Sequence, residues 1–149
     1  MRELLFFDSS KCVGCLFCEI VCTLRHTGMF GTSGSRIKTI TNEKDMLHAA
    51  MVCRHCKSPI CMELCPVDAI SKSEGTGLVS IDSGKCIGCG VCIECPLGGI
   101  CMDEETGLAA NCDLCNGKPA CVEFCPQGAL QYLSPGESRR TKTAPIQPV

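Results

Sequence analysis

The sequence predicts an α+β fold of short strands, hairpins and short helices, repeated in tandem and folded around bound centres rather than a large apolar core. Three observations predict it. Seventeen of the 149 residues are cysteine, while there is no Trp, one Tyr and five Phe, so apolar core material is thin for the length. Units with so thin a core are normally stapled by disulfides or metals. The cysteines form four groups in the order A-B-A-B, a sign of internal duplication that weighs first in a fold assignment. Between the groups lie strand–turn–strand patterns of hairpin length.

The chain starts Met1-Arg2-Glu3-Leu4-Leu5-Phe6-Phe7-Asp8, an apolar run too short for the core of a secretory signal, with no twin-arginine leader before it. A cytoplasmic chain with reduced thiols is therefore expected, and an odd cysteine count also argues against a disulfide framework. The first group is Cys12-Val-Gly-Cys15-Leu-Phe-Cys18-Glu-Ile-Val-Cys22. Residues 16–24 are helix-like, which puts Cys18 and Cys22 one turn apart on one face. The long spacer 23–52 is rich in Gly, Ser and Thr over 28–35, with a strand expected over 36–40 and a short helix over 45–52.

The second group is Cys53-Arg-His-Cys56-Lys-Ser-Pro-Ile-Cys61-Met-Glu-Leu-Cys65-Pro66. Residues 69–73 and 78–82 flank a Glu-Gly-Thr-Gly turn and read as a hairpin. The third group, Cys86-Ile-Gly-Cys89-Gly-Val-Cys92-Ile-Glu-Cys95-Pro96, repeats the first; 82–92 and 8–18 agree at seven of eleven positions. Residues 100–103 and 108–110 make a weaker copy of the hairpin. The fourth group, Cys112-Asp-Leu-Cys115-Asn-Gly-Lys-Pro-Ala-Cys121-Val-Glu-Phe-Cys125-Pro126, repeats the second, with a short helix over 120–124. The end, 134–149, has the composition of a flexible or partner-binding tail. Cys101 is left over and is expected on a strand as a small buried residue.

A cysteine pair two residues apart converges two thiolates on one centre, and zinc sites use two such pairs, usually far apart. Here a third thiolate follows within the same short stretch. Three thiolates so close suit three corners of an iron–sulfur cube better than one tetrahedral ion. The fourth points away past a short turn, as in the bacterial C-x2-C-x2-C-x3-C-P run, whose last Cys serves the neighbouring cluster. Three of the four groups end in Cys-Pro, where Pro stops the turn. Gly14 and Gly88 sit between the first two cysteines, where positive φ lets backbone N–H groups approach sulfur and tune the potential.

With these motifs, residues 1–133 resemble the four-cluster ferredoxin-like electron-transfer subunits that accompany dimethyl sulfoxide reductase, formate dehydrogenase, aldehyde oxidoreductase, carbon monoxide dehydrogenase and formate hydrogenlyase. The resemblance implies tandem bacterial-ferredoxin-like modules around four [4Fe-4S] clusters. Outer motifs, 1–30 plus 105–133, and inner motifs, 50–104, would form two interleaved two-cluster modules. It also implies a ligand pairing: Cys12, Cys15, Cys18 with Cys125; Cys112, Cys115, Cys121 with Cys22; Cys53, Cys56, Cys61 with Cys95; and Cys86, Cys89, Cys92 with Cys65. Two departures stand out. Only two residues separate Cys92 from Cys95, and Cys22 lacks a following Pro. Cys95 keeps its Pro and is the expected ligand in preference to Cys101.

Among other candidates, His55 between Cys53 and Cys56 could serve as a Rieske-type ligand, but every cluster already has four cysteines. A partly exposed His55 or Arg54 is instead expected to act by charge. His26 and His48 show no metal spacing and are expected at the surface. Lys11 and Lys85 read as solvated charges that could also raise a potential or guide docking.

Composition narrows the function classes. Lys+Arg 14 against Asp+Glu 16 leaves −2, no field for nucleic acid, and no apolar stretch reaches membrane-spanning length. All-cysteine cubes offer no open position for substrate, and no radical-SAM run, phosphate loop or Ser/His/Asp arrangement is present. The expected role is an electron-transfer subunit relaying single electrons between a catalytic metalloenzyme, such as an aldehyde oxidoreductase or carbon monoxide dehydrogenase, and a second redox protein, with possible self-assembly. Alternatives are a free-standing polyferredoxin carrier and a structural zinc module.

Overall fold

The computed structural model describes residues 3–134, and the tail expected beyond Ser134 lies outside the described residues. The α+β class expected from the sequence is what the chain adopts. Strands pair two by two, all antiparallel: β1 (Leu4–Phe7) with β8 (Leu130–Leu133), β2 (Ile37–Asn42) with β3 (Leu47–Val52), β4 (Ile70–Lys72) with β5 (Val79–Ile81), and β6 (Ile100–Met102) with β7 (Ala109–Asn111). The helices are α1 (Phe17–Thr27), α2 (Ile60–Leu64) and α3 (Ala120–Glu123), with a 3-10 turn at Val91–Glu94 and a left-handed turn over Leu114–Gly117. None of the described helices is long and apolar enough to cross a membrane.

The duplication read from the cysteines extends into the backbone. Asp8 N–H donates to Ala129 O at the end of the β1–β8 pair, and Asp82 N–H donates to Ala69 O at the end of β4–β5, both at 2.8 Å. Each Asp carbonyl then accepts from the lysine three residues on, Lys11 or Lys85, both at 3.2 Å. The β4–β5 and β6–β7 loops close alike: Gly77 N–H reaches Ser73 O and Gly107 N–H reaches Asp103 O, with both glycines at φ 67. A left-handed residue is needed there to turn the chain back, and Gly takes that conformation freely.

One expectation needs correction. Residues 45–52 do not form a helix. Asn42 hydrogen bonds Asp45 and the Lys44 N–H, Met46 turns at φ 52, and Leu47–Val52 then pairs with β2 in full register, Ile37 opposite Val52. Ala50 and Val52 are each 1 % exposed, so cross-strand pairing and burial override the helical preference of the Ala-Ala-Met stretch. The opening residues, read only as too short for a signal, form β1, which buries Leu5, Phe6 and Phe7 against the far end of the chain.

The hairpin β2–β3 is fastened to α1 by Glu19. This carboxylate is buried, and it accepts the Thr39 N–H at 2.6 Å while Lys38 Nζ stands 3.8 Å away. Gly28, at φ 73, ends α1 with its N–H on Leu24 O. The core is split. One cluster gathers Leu5, Phe7, Ile37, Ala50, Val52, Leu114 and Leu130 with Cys22, Cys112 and Cys121. The other holds Ile70, Val79, Ile100 and Ala109 with Cys61 and Cys92.

Candidate metal-cluster sites

One backbone turn recurs in all four cysteine groups. The residue just before the second cysteine has positive φ: Gly14 at 67, His55 at 46, Gly88 at 67 and Leu114 at 54. Glycine signals that turn in the first and third groups. In the other two it is made by side chains that strain to adopt it and are held there by burial, His55 at 1 % exposed and Leu114 at 2 %. Space is tight around these loops. A Cβ on Gly88 would lie 2.4 Å from Gly107 O, and one on Gly14 would meet the His48 ring at 2.6 Å.

The fold brings the cysteines together in four sets. Cys12, Cys15, Cys18 and Cys125 line one hollow, walled by Phe7, Leu16 and Leu130. Cys65, Cys86, Cys89 and Cys92 line a second, walled by Ile70, Ile81 and Val91. Cys53 lies close enough to Cys56 and Cys95 for their charges to interact, and Cys61 interacts with all three. Cys121 interacts in the same way with Cys112, Cys22 and Cys115. Cys101 stands apart on β6, half-buried, with its thiol on Ala110 O at 3.4 Å. Donor chemistry therefore fits iron–sulfur clusters: groups of soft thiols, two of them in hollows with apolar walls.

Hydrogen bonds already point at the sulfurs. Backbone N–H groups of Arg36, Ala69 and Leu114 donate to Cys22, Cys65 and Cys112 at 3.3, 3.3 and 3.4 Å. The Asn111 amide donates to Cys53 at 3.4 Å. Burial pushes the Cys12, Cys18, Cys53 and Cys92 thiols up, Cys61 up to about 11 and Cys112 up to about 12. At Cys22 burial acts upward too, but the His26 and Arg36 hydrogen bonds outweigh it and hold the thiol below its ordinary value. Backbone donation from Val67 and Ala69 likewise lowers Cys65, whatever its slight burial adds.

The histidines depart from expectation. His55 is buried rather than partly exposed, and its Nδ1 accepts the Val79 N–H at 3.0 Å, which makes it a structural acceptor. His26 is not a surface residue: its side chain is 11 % exposed, with Nδ1 on Cys22 O and Nε2 3.2 Å from Asp113. Cys115 also lies beside this pair, and the ion pair accounts for the grouping. His48 is half-buried, bonded to Thr41 and stacked over the first loop. Lys11 pairs with Asp8 at 3.5 Å and Lys85 is exposed.

Residues 44–134 match the 4Fe-4S dicluster domain family. The chain is 39% identical over 131 residues to the beta subunit of NADH-dependent phenylglyoxylate dehydrogenase from Aromatoleum evansii, covering 86% of this chain and 29% of that subunit. It is 37% identical over 133 residues to the polyferredoxin-like subunit of aliphatic sulfonate oxidoreductase from Pyrococcus furiosus, covering 89% of this chain and 76% of that one. In fold it superposes on a chain of the active site complex BamBC of benzoyl coenzyme A reductase, with a TM-score of 0.53 at 22% identity, covering 94% of this chain and 84% of that chain.

Proposed function

The chain belongs to the 4Fe-4S dicluster domain family, among ferredoxin-like electron-transfer subunits of oxidoreductases, and from that premise we propose that it relays single electrons through four [4Fe-4S] clusters in a row. The observation that carries this reading is the convergence of sixteen cysteines into four sets, each cysteine group turning through a positive-φ residue before its second cysteine. When bound, each cluster supplies a one-electron carrier that changes charge without rearranging atoms.

The remaining work falls to the chain's own residues. Cys12, Cys15, Cys18 and Cys125 would hold the first cluster, and Cys22, Cys112, Cys115 and Cys121 the second. Cys53, Cys56, Cys61 and Cys95 would hold the third, and Cys65, Cys86, Cys89 and Cys92 the fourth. The order along the row follows from the contacts between sets. Cys121 feels Cys18, Cys112 feels Cys53, and Cys61 shares a core with Cys92. Cys15 and Cys89 are the exposed cysteines, one at each end, and each loop presents an exposed apolar residue, Val13 or Ile87. Those ends are where electrons would enter and leave. The two modules, outer motifs 1–30 with 105–133 and inner motifs 50–104, thereby become the two halves of one relay, with the β2–β3 hairpin packed into the outer core and β7 paired with β6 of the inner half.

A thiolate-bound oxidised cube carries about −2, so four would take the formal −2 of the chain to roughly −10. That charge favours basic rims on a catalytic metalloenzyme at one end and on a second redox protein at the other, with docking weakened by salt. The test is anaerobic. Chemically reduced protein is mixed with a metalloenzyme that copurifies with it under exclusion of oxygen, and recovery of the bleached visible absorbance is followed. Reoxidation that needs both the enzyme and its oxidised substrate supports the relay; absorbance that stays bleached with active enzyme contradicts it.

A further inference from the structure

Where the second cysteine set meets the third, one buried side chain bridges them. Asn111, 7 % exposed, ends β7 and immediately precedes Cys112. Its Nδ2 lies 2.8 Å from Val79 O, 3.4 Å from Cys53 Sγ and 3.4 Å from Cys112 O. An amide has two N–H bonds to share among three acceptors. The Val79 contact is short and takes one. For the other, 3.4 Å is long for an oxygen acceptor but ordinary for the larger sulfur, so it belongs to Cys53.

The side chain is also clamped. Val79 O accepts from Asn111 while Val79 N–H donates to His55 Nδ1, and His55 sits two residues from Cys53 in the same strained loop. Cys53, His55, Val79 and Asn111 thus form a closed circuit that fixes the amide against the sulfur. Elsewhere Arg36, Ala69 and Leu114 donate to sulfur through backbone N–H groups, Thr39 through a hydroxyl that can turn away from Cys18, and the His26 ring nitrogen near Cys22 Sγ is already engaged by the Cys22 carbonyl.

We propose that Asn111 is a positioning residue that raises the reduction potential of the cluster held by Cys53, Cys56, Cys61 and Cys95, and so governs the crossing between the outer and inner halves. This rests on the relay reading above. A hydrogen bond to a thiolate stabilises the reduced, more negative state more than the oxidised one, since the added electron increases charge on sulfur. The crossing moves one electron between neighbouring clusters; no bond is made or broken and no proton is transferred.

The test compares full-length wild type with Asn111→Leu, which keeps the branched shape but has no N–H, and Asn111→Ser, which keeps a small polar group too short to reach Cys53. Each is titrated anaerobically with dithionite, followed by EPR, with iron counted in parallel. Expected is wild-type iron content in at least one variant, with a single centre moved to lower potential. At the wild-type midpoint of that centre its reduced-to-oxidised ratio falls about tenfold, which equals 59 mV for a one-electron couple. The same centre is the one lost in Cys53→Ser. Full iron with every midpoint unmoved, or loss of iron from both variants, overturns the proposal and leaves Asn111 a purely structural residue. Wild-type protein that carries no iron would instead overturn the relay reading itself.

Discussion

In the outer half, Cys22, Cys112 and Cys121 are packed among Leu5, Phe7, Ile37, Val52, Leu114 and Leu130. In the inner half, Cys61 and Cys92 have only Ile70, Val79, Ile100 and Ala109 as buried company. The outer half also has the eleven-residue helix α1, the β2–β3 hairpin tied on by Glu19, and a strap in which His26 and Arg36 both reach Asp113, at 3.2 and 3.1 Å. The inner half has three-residue strands and a five-residue helix. Duplicated cysteine motifs therefore sit in unequal protein surroundings. A cluster can substitute for a core, and the half with less core depends on its clusters more.

The largest expected effect concerns the pairing itself. Cys12→Ser and Cys125→Ser should each delete the same cluster, as should Cys86→Ser and Cys65→Ser, while Cys101→Ala leaves every cluster in place. Iron counting and EPR of the five variants check this, and loss of different signals within a pair breaks it. Next comes removal of iron by a chelator under reducing conditions. Hydrogen exchange should then show β4 to β7 losing protection before α1 and β1–β8, because the inner strands are short and their core small.

Glycine substitutions sharpen the contrast between repeats. Gly88→Ala drives a Cβ into the fixed carbonyl of Gly107, whereas at Gly14 the clash is with a His48 ring that can swing aside. Both incur the strain of a non-glycine residue at φ 67, about 1–2 kcal/mol. Gly88→Ala should therefore empty the inner set of its cluster, and Gly14→Ala should retain its cluster with lower stability, as read by iron content and thermal loss of visible absorbance.

The smallest effect belongs to the outer strap. Asp113, then Cys22, raise His26 from 6.5 to about 10, so its contribution is complete below about pH 6.5 and disappears as pH rises through about 10. Asp113, held well below the carboxylate range chiefly by His26, loses its share only on strong acidification. Because the Asp113 side chain is 44 % exposed, solvent screening limits the pair to about 1 kcal/mol. His26→Ala should be less stable than wild type at pH 6 by that amount, with the gap narrowing as pH rises and closing only above about pH 10 in denaturant unfolding.

Much of this was legible in the cysteine spacing, because ligand geometry leaves a local signature; the hairpins at 69–82 and 100–110 and the helix over 16–24 announced themselves through turn residues and periodicity. What stayed hidden was non-local. The β1–β8 pairing joins residues at opposite ends of the chain, and β3 owes its conformation to β2 across a turn. Glycine revealed positive φ at 14 and 88, but nothing in His55 or Leu114 betrays the same turn, which only burial enforces. Asn111 and Glu19 matter through partners 58 and 20 residues away.

The most direct test of the account counts iron and electrons in one sample. Protein isolated without oxygen should be brown, hold roughly sixteen irons per chain and take up about four electrons from a strong reductant, one for each cube. A colourless protein carrying about four zinc ions, or one that accepts no electrons, would contradict it.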